Sequence, residues 1–210
     1  MFDFGFTDLQ RPLNPESNIF FIANPKSKKL DNKSELEHPN SEIKKIMATQ
    51  LKNLSDFSNT EIPSAKPYRF GIVVAEWNAE ITNALYQGAY QSLVNNGALP
   101  ENIVVYPVPG SFELTSGADL LLKKGGLEAV ICLGCVIQGE TRHFDFICNA
   151  VANGVSNVAI KYSKPVIFGV LTTDNQQQAI DRAGGKHGNK GDEAAITAIK
   201  MAHLAETLNN

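Results

Sequence analysis

The run Ala129-Val-Ile-Cys-Leu-Gly-Cys-Val-Ile137 leads straight into Gln138-Gly-Glu-Thr-Arg-His-Phe-Asp145. The first stretch carries no charge and no polar alternation, which predicts a strand buried on both faces. The second brings glycine, a hydroxyl, an arginine and a histidine to the point where that strand gives way to a helix. Beyond it, Ile147, Ala150, Val151, Gly154, Val155, Val158, Ala159 and Tyr162 recur at helical spacing. A helix start leaves backbone N–H groups without partners, so such a junction is a natural place to hold an anion.

The rest of the chain from Pro67 repeats this unit. Phe70–Ala75 predicts a first strand, followed by a helical stripe of Ile81, Ala84, Leu85, Gly88, Ala89 and Leu93 that Asn96-Gly97 ends. Ile103–Tyr106 predicts a second strand, stopped by Pro107 and Pro109. A stripe from Leu114 to Leu122 then ends before Gly125-Gly126. Pro165–Leu171 predicts the fourth strand, and a short helix near 175–182 and a long one near 192–208 complete the pattern. Strands alternating with helices imply an α/β fold with a four-stranded parallel sheet covered on both faces. Ligands of such sheets sit beyond the carboxyl ends of the strands, where each polar cluster of this sequence falls. A sheet this small, flanked by helices rich in alanine and glycine, suggests a self-associating, homo-oligomeric protein.

The 210 residues carry a formal net charge of −3, without the basic excess expected of a nucleic-acid or membrane-surface binder. No apolar run approaches membrane-spanning length, and the start MFDFGFTDLQ lacks the features of a secretory signal, so the cytoplasm is the expected location. Cys132 and Cys135 have C-x-x-C spacing. On a strand, however, residues three apart point to opposite faces, and with Cys148 as the only other thiol neither a metal site nor a disulfide framework is expected. Residues 1–66, rich in Asn, Ser, Pro and Lys, read as a mostly disordered or loosely attached extension with one apolar knot, Ile19–Ile22. Met47-Ala-Thr would make a normal start, so residues 1–46 are expected to stem from an upstream start codon. Residues 67–210 form the expected domain.

Four polar clusters carry the chemistry. Glu76-Trp77-Asn78-Ala79-Glu80 follows the first strand; Trp77 is either a core or interface aromatic or a wall for a planar heterocycle, and Asn78 suits a helix N-cap. Pro107-Val-Pro-Gly-Ser-Phe-Glu113 follows the second, with Ser111 opening the next helix. That turn is either a rigid connection or one whose N–H groups and Glu113 carboxylate read a ligand's amide edge. In the third, Thr141 and the helix start could grip a phosphate. His143 beside it would be suited to proton transfer; the plain alternative is a surface histidine. The fourth, Asp181–Gly191, holds an arginine, two lysines, a histidine and four glycines. It reads as an oxyanion-wrapping loop or as a solvated turn, and it lacks P-loop spacing.

Together these clusters resemble the lumazine synthase (6,7-dimethyl-8-ribityllumazine synthase) family of riboflavin biosynthesis. The motifs are Trp77–Thr82, Val108–Glu113, Leu133–Asp145, Val166–Thr173 and Gln178–Gly191, in order and at matching intervals. The resemblance implies a flavodoxin-like three-layer subunit that forms a homo-pentamer, in some members a 60-mer capsid, with each site between neighbouring subunits and no metal or redox cofactor. It raises a riboflavin synthase as a partner. The implied substrates are 5-amino-6-(D-ribitylamino)uracil and 3,4-dihydroxy-2-butanone 4-phosphate. By motif, Trp77 would stack on the pyrimidine. Ser111, Phe112, Glu113 and the backbone of Cys135, Val136 and Ile137 would contact its ring and ribityl chain. Glu140, Thr141 and Arg182 would bind the phosphate, and His143 would move the proton. Phe168 would close the site from the adjacent subunit, and Lys190 would lie near the heterocycle. Trp77 stands where many members have phenylalanine, and Glu140 where many have a small residue, so Glu140 is expected to offer only its N–H. The rivals are a flavodoxin-type electron carrier, whose first loop would be rich in hydroxyls and glycine, and a catalytically silent shell or flavin-binding relative.

Overall fold

The apolar run Ala129–Ile137 forms β3, the longest strand among the described residues, paired in parallel with β1 (Phe70–Ala75) on one side and β4 (Val166–Thr173) on the other. β2 (Ile103–Val108) adds to the far side of β1, giving the order β2-β1-β3-β4. This is a computed structural model that describes residues 55–57, 59 and 61–209, all within one compact unit. The expectations for residues 1–46, for Ile19–Ile22 and for most of the 1–66 extension fall outside the described residues. Within them, the chain ahead of Pro67 already packs on the domain: Ala65 is fully buried, its N–H donates to the Asn96 carbonyl at 2.9 Å, and Phe57 and Ile62 lie against the core.

Period-two alternation sorts the strand side chains into two layers. Phe70 and Ile72 of β1 and Ile131, Leu133 and Cys135 of β3 face α1 (Ala79–Asn95) and α5 (Lys190–Asn209). Val73 and Ala75 of β1 and Val130 and Cys132 of β3 face α2 (Leu114–Lys124) and α3 (His143–Tyr162). The two thiols of Cys132 and Cys135 therefore lie on opposite sides of the sheet, as strand geometry requires, and burial pushes them up to about 12 and about 11. Completely buried side chains such as Phe70, Ile72 and Leu85 each stabilise the fold by about 1.5–3 kcal/mol.

Three local expectations need correction. Ser111 does not open the helix after the second strand; it lies in a turn, and α2 begins only at Leu114. β2 does not stop before Pro107; Pro107 pairs with Val74 and the strand runs on to Val108. An edge strand can carry proline because one row of its N–H groups has no ladder partner. Asn78 holds the expected N-cap position of α1, but its side chain makes no capping hydrogen bond. Its backbone is left-handed (φ 60), and its Nδ2 donates to the Cys135 carbonyl at 2.9 Å, bridging the ends of β1 and β3. Asparagine tolerates that conformation better than other residues with a Cβ.

Candidate active site

β1 and β3 are neighbours in space but their connections leave in opposite directions, so a crevice opens where their carboxyl ends part. A cavity of about 590 Å³ fills it. Trp77 and Asn78 from the end of β1, Ser111, Phe112 and Glu113 from the turn after β2, and Cys135, Val136 and Ile137 from β3 form its walls, and His143 and Ile147 of α3 close one side. Ser111 is buried and presses on β3 where Gly134 has no side chain; a Cβ there would come 2.7 Å from the Ser111 Oγ. Trp77 is 73% exposed and Phe112 56%, so two large rings stand open beside a polar floor. Trp77 is therefore not a core residue.

The helix that carries His143 begins at His143 itself. The Thr141 Oγ1 accepts the His143 N–H at 3.4 Å, while Glu140, Thr141 and the imidazole are exposed. A long, exposed contact of this kind is readily exchanged for one to a ligand.

A second cavity, of about 440 Å³, lies beyond the end of β4. Its walls include Thr172 and Thr173 of β4, Asp181 and Arg182 of α4 (Gln176–Arg182), Lys186 and His187 of the following turn, and Lys190 at the start of α5. The turn is a small hairpin, β5 (Ala183–Gly185) with β6 (Gly188–Asn189). Its cations are answered by carboxylates. Arg182 Nη2 lies 2.8 Å from Glu193 Oε1, and Lys190 Nζ lies 3.0 Å from Glu193 Oε2. Lys186 Nζ lies 2.9 Å from Asp181 Oδ2, and with the Gln177 amide it holds the Asp181 carboxyl below the usual carboxylate range. Thr173 Oγ1 is buried with no hydrogen-bond partner among the described residues.

The sequence profile of the 6,7-dimethyl-8-ribityllumazine synthase family matches residues 67–206. The chain belongs to that family. Relatives bearing the name 6,7-dimethyl-8-ribityllumazine synthase include one from Cytophaga hutchinsonii, 64% identical over 162 residues, which are 77% of this chain and 100% of the relative. One from Flavobacterium johnsoniae is 53% identical over 160 residues (76% of this chain and 84% of the relative), and one from Parabacteroides distasonis is 54% identical over 159 residues (76% and 99%).

Of the residues expected to form a lumazine synthase site, the first cavity gathers Trp77, Ser111, Phe112, Glu113, Cys135, Val136, Ile137 and His143. The second gathers Arg182 and Lys190. Glu140 and Thr141 are exposed and line neither, and Phe168 packs against the α2/α3 side of the core. The sequence reading of this lumazine synthase chain missed Glu193, the carboxylate shared by Arg182 and Lys190. It lies in the first turn of α5, where an acid passes for a helix-dipole residue. It also missed Thr173, which reads as an ordinary strand residue until its unpartnered hydroxyl is seen.

Proposed function

We propose that this lumazine synthase family member condenses 5-amino-6-(D-ribitylamino)uracil with 3,4-dihydroxy-2-butanone 4-phosphate, giving 6,7-dimethyl-8-ribityllumazine, phosphate and two waters. The observation that carries this reading is the cavity that joins Trp77, Ser111, Glu113 and His143 at the parting of β1 and β3. A flat ring next to a hydroxyl, a carboxylate and the polar ends of a strand suits a planar, hydrogen-bonding heterocycle bearing a polyol. The amine attacks the ketone, water leaves to form an imine, phosphate is eliminated, and ring closure expels a second water. His143 is the proton carrier for these steps, and holding the two substrates together supplies much of the rate.

Thr141, the N–H of Glu140 and Arg182 take the phosphate. That Arg182 and Lys190 line a cavity separate from that of His143 supports a site completed between subunits, with Phe168, Arg182 and Lys190 reaching the neighbour's crevice. Phe146 and Ile160 support this association: both are more than 70% exposed and lie on one face of α3, two large apolar side chains that a neighbour would cover. The assembly is a homo-pentamer or a 60-mer built from pentamers, and the larger shell would offer room for a riboflavin synthase. Negative-stain microscopy separates the two. No helix of the described residues is long and apolar enough to cross a membrane. A phosphorylated substrate does not cross a bilayer unaided, which favours the cytoplasm as the working compartment.

Mixing the purified chain with both substrates and following lumazine fluorescence tests the reading. Product formation is the expected result. A well-folded protein that binds flavin yet forms no product would instead mark a catalytically silent relative.

A further inference from the structure

The hairpin that presents the cationic cavity is a poor scaffold on its own. It has two- and three-residue strands, and Gly184 (φ 103) and Gly188 (φ 84) give it a backbone with many alternatives to the native one. What fixes it is Asn189, and part of the fixing comes from ahead of the family-matched residues 67–206. The Ser55 hydroxyl donates to the Asn189 carbonyl at 2.9 Å and accepts the Asn189 N–H at 2.7 Å. The Asn189 side chain completes the anchorage: Nδ2 donates to the Ala84 carbonyl of α1 at 2.9 Å, and Oδ1 accepts the Gly191 N–H at 2.8 Å. The amide sits in a notch left by Gly88, where a Cβ would come 2.5 Å from Nδ2. Gly191 lies so close to α1 that a Cβ there would collide with the Leu85 carbonyl.

From this anchor the frame continues into the charged groups. Lys190 follows Asn189 and pairs with Glu193, Glu193 pairs with Arg182, and Arg182 Nη1 donates to the His187 carbonyl of the hairpin at 3.0 Å. We propose that Ser55 is a positioning residue of the cationic half-site: its hydroxyl sets the placement of the hairpin and so of Lys190 and Arg182. This rests on the reading that this half-site serves the phosphate-bearing substrate. Ser55 touches no reacting atom; it acts through Asn189.

The test uses the full chain with Ser55→Ala and, as the conservative variant that keeps the hydroxyl, Ser55→Thr. Two readouts are taken: amide hydrogen exchange of peptides 183–191 and 139–146, and the separate KM values for the two substrates. Ser55→Ala is expected to speed exchange in 183–191 but not in 139–146. It should raise KM for the phosphate-bearing substrate about 3- to 10-fold, the effect of losing about one net hydrogen bond, and raise KM for the pyrimidine, which only Lys190 of this half-site would approach, by a smaller factor. Ser55→Thr should restore both. Unchanged exchange at 183–191 overturns the proposal. So do faster exchange in both peptides and an equal rise in both KM values, which are the marks of a merely structural role. A wild-type chain that makes no lumazine would defeat the catalytic reading instead, while the exchange data would still decide whether Ser55 holds the hairpin.

Discussion

The crevice between β1 and β3 is walled by rings and strand ends, whereas the cavity beyond β4 is walled by charges that already answer one another. In the first, Trp77 and Phe112 stand open, and nothing among the described residues covers them. In the second, Arg182 and Glu193 have side chains only 19% and 16% exposed and are joined at 2.8 Å. The difference follows from what each half must hold. Apolar walls need no partner before a ring arrives. Clustered cations repel one another and, once partly desolvated, need anions. Glu193 and Asp181 let Arg182, Lys186 and Lys190 share a small volume, and an arriving phosphate joins a charge pattern that is already in place.

The sharpest way to break this division of labour is to remove the central cation. Arg182→Ala is expected to lower kcat/KM for the phosphate-bearing substrate by about 100- to 1000-fold, the scale of losing a positioned electrostatic group. It should also lower the melting temperature, since Glu193 is left with Lys190 alone. Steady-state kinetics with the pyrimidine saturating measures the first; a loss of less than about tenfold would show that the second cavity is not the anion half. The complementary change in the first cavity is His143→Ala. Turnover is expected to fall about 10- to 1000-fold, with KM for the phosphate-bearing substrate little changed, as befits a general acid–base group. Undiminished turnover would remove His143 from the chemistry.

The two halves also differ in how well the sequence announces them. The crevice was legible because its parts lie at predicted strand ends: β1 and β3 have the predicted limits, Trp77 and Ser111 lie in the turns that follow β1 and β2, and His143 opens a helix. Parallel α/β topology then brings them together. Asn78 is the N-cap residue of α1 as expected, but the task of its side chain was hidden, because a capping and a cross-strand amide look alike in one dimension and only φ 60 and the Cys135 carbonyl distinguish them. The continuation of β2 through Pro107 depends on its edge position, which pairing order decides and local composition does not. In the cationic half, Arg182 and Lys190 were visible as charges in a glycine-rich loop. Their partner Glu193 and the anchor Asn189 were not, because both are defined by contacts: Glu193 with Arg182, Asn189 with Ala84 and with Ser55, 134 residues away. The proposed arrangement of Phe168 beside another subunit's crevice has no counterpart inside one chain, where it is half-buried against the α2/α3 side of the core.

A milder probe of the ring-walled half is Trp77→Ala, which removes the open stacking face. KM for the pyrimidine substrate is expected to rise about tenfold, the scale of losing one aromatic platform under a base, with KM for the phosphate-bearing substrate unaffected. Trp77→Phe keeps a stacking face and should cost about threefold or less. Equal losses in the two variants would mean that the indole serves something other than stacking, such as an interface.

The smallest expected effect tests whether every acid of the charged half serves a cation. Asp192 lies between Lys190 and Glu193 in sequence but turns to α1, where the Ser92 Oγ donates to its Oδ1 at 3.1 Å. Burial pushes its carboxyl above the usual carboxylate range, the Ser92 hydrogen bond opposes the shift, and Glu193 adds to it. An acid whose pKa is raised on folding favours the fold most when protonated. Its contribution is greatest below the ordinary carboxylate pKa and is lost as pH rises through the folded-state value. Asp192→Asn keeps an oxygen for Ser92 and removes the half-buried charge, so at neutral pH it should raise the melting temperature by about 1–2 °C. The gain should fade as pH is lowered below the usual carboxylate range, where wild type is protonated too. Melting curves of both proteins across acidic to neutral pH measure it. A loss at neutral pH would make Asp192 a working partner of the cations beside it, and the charged half would then extend onto α1.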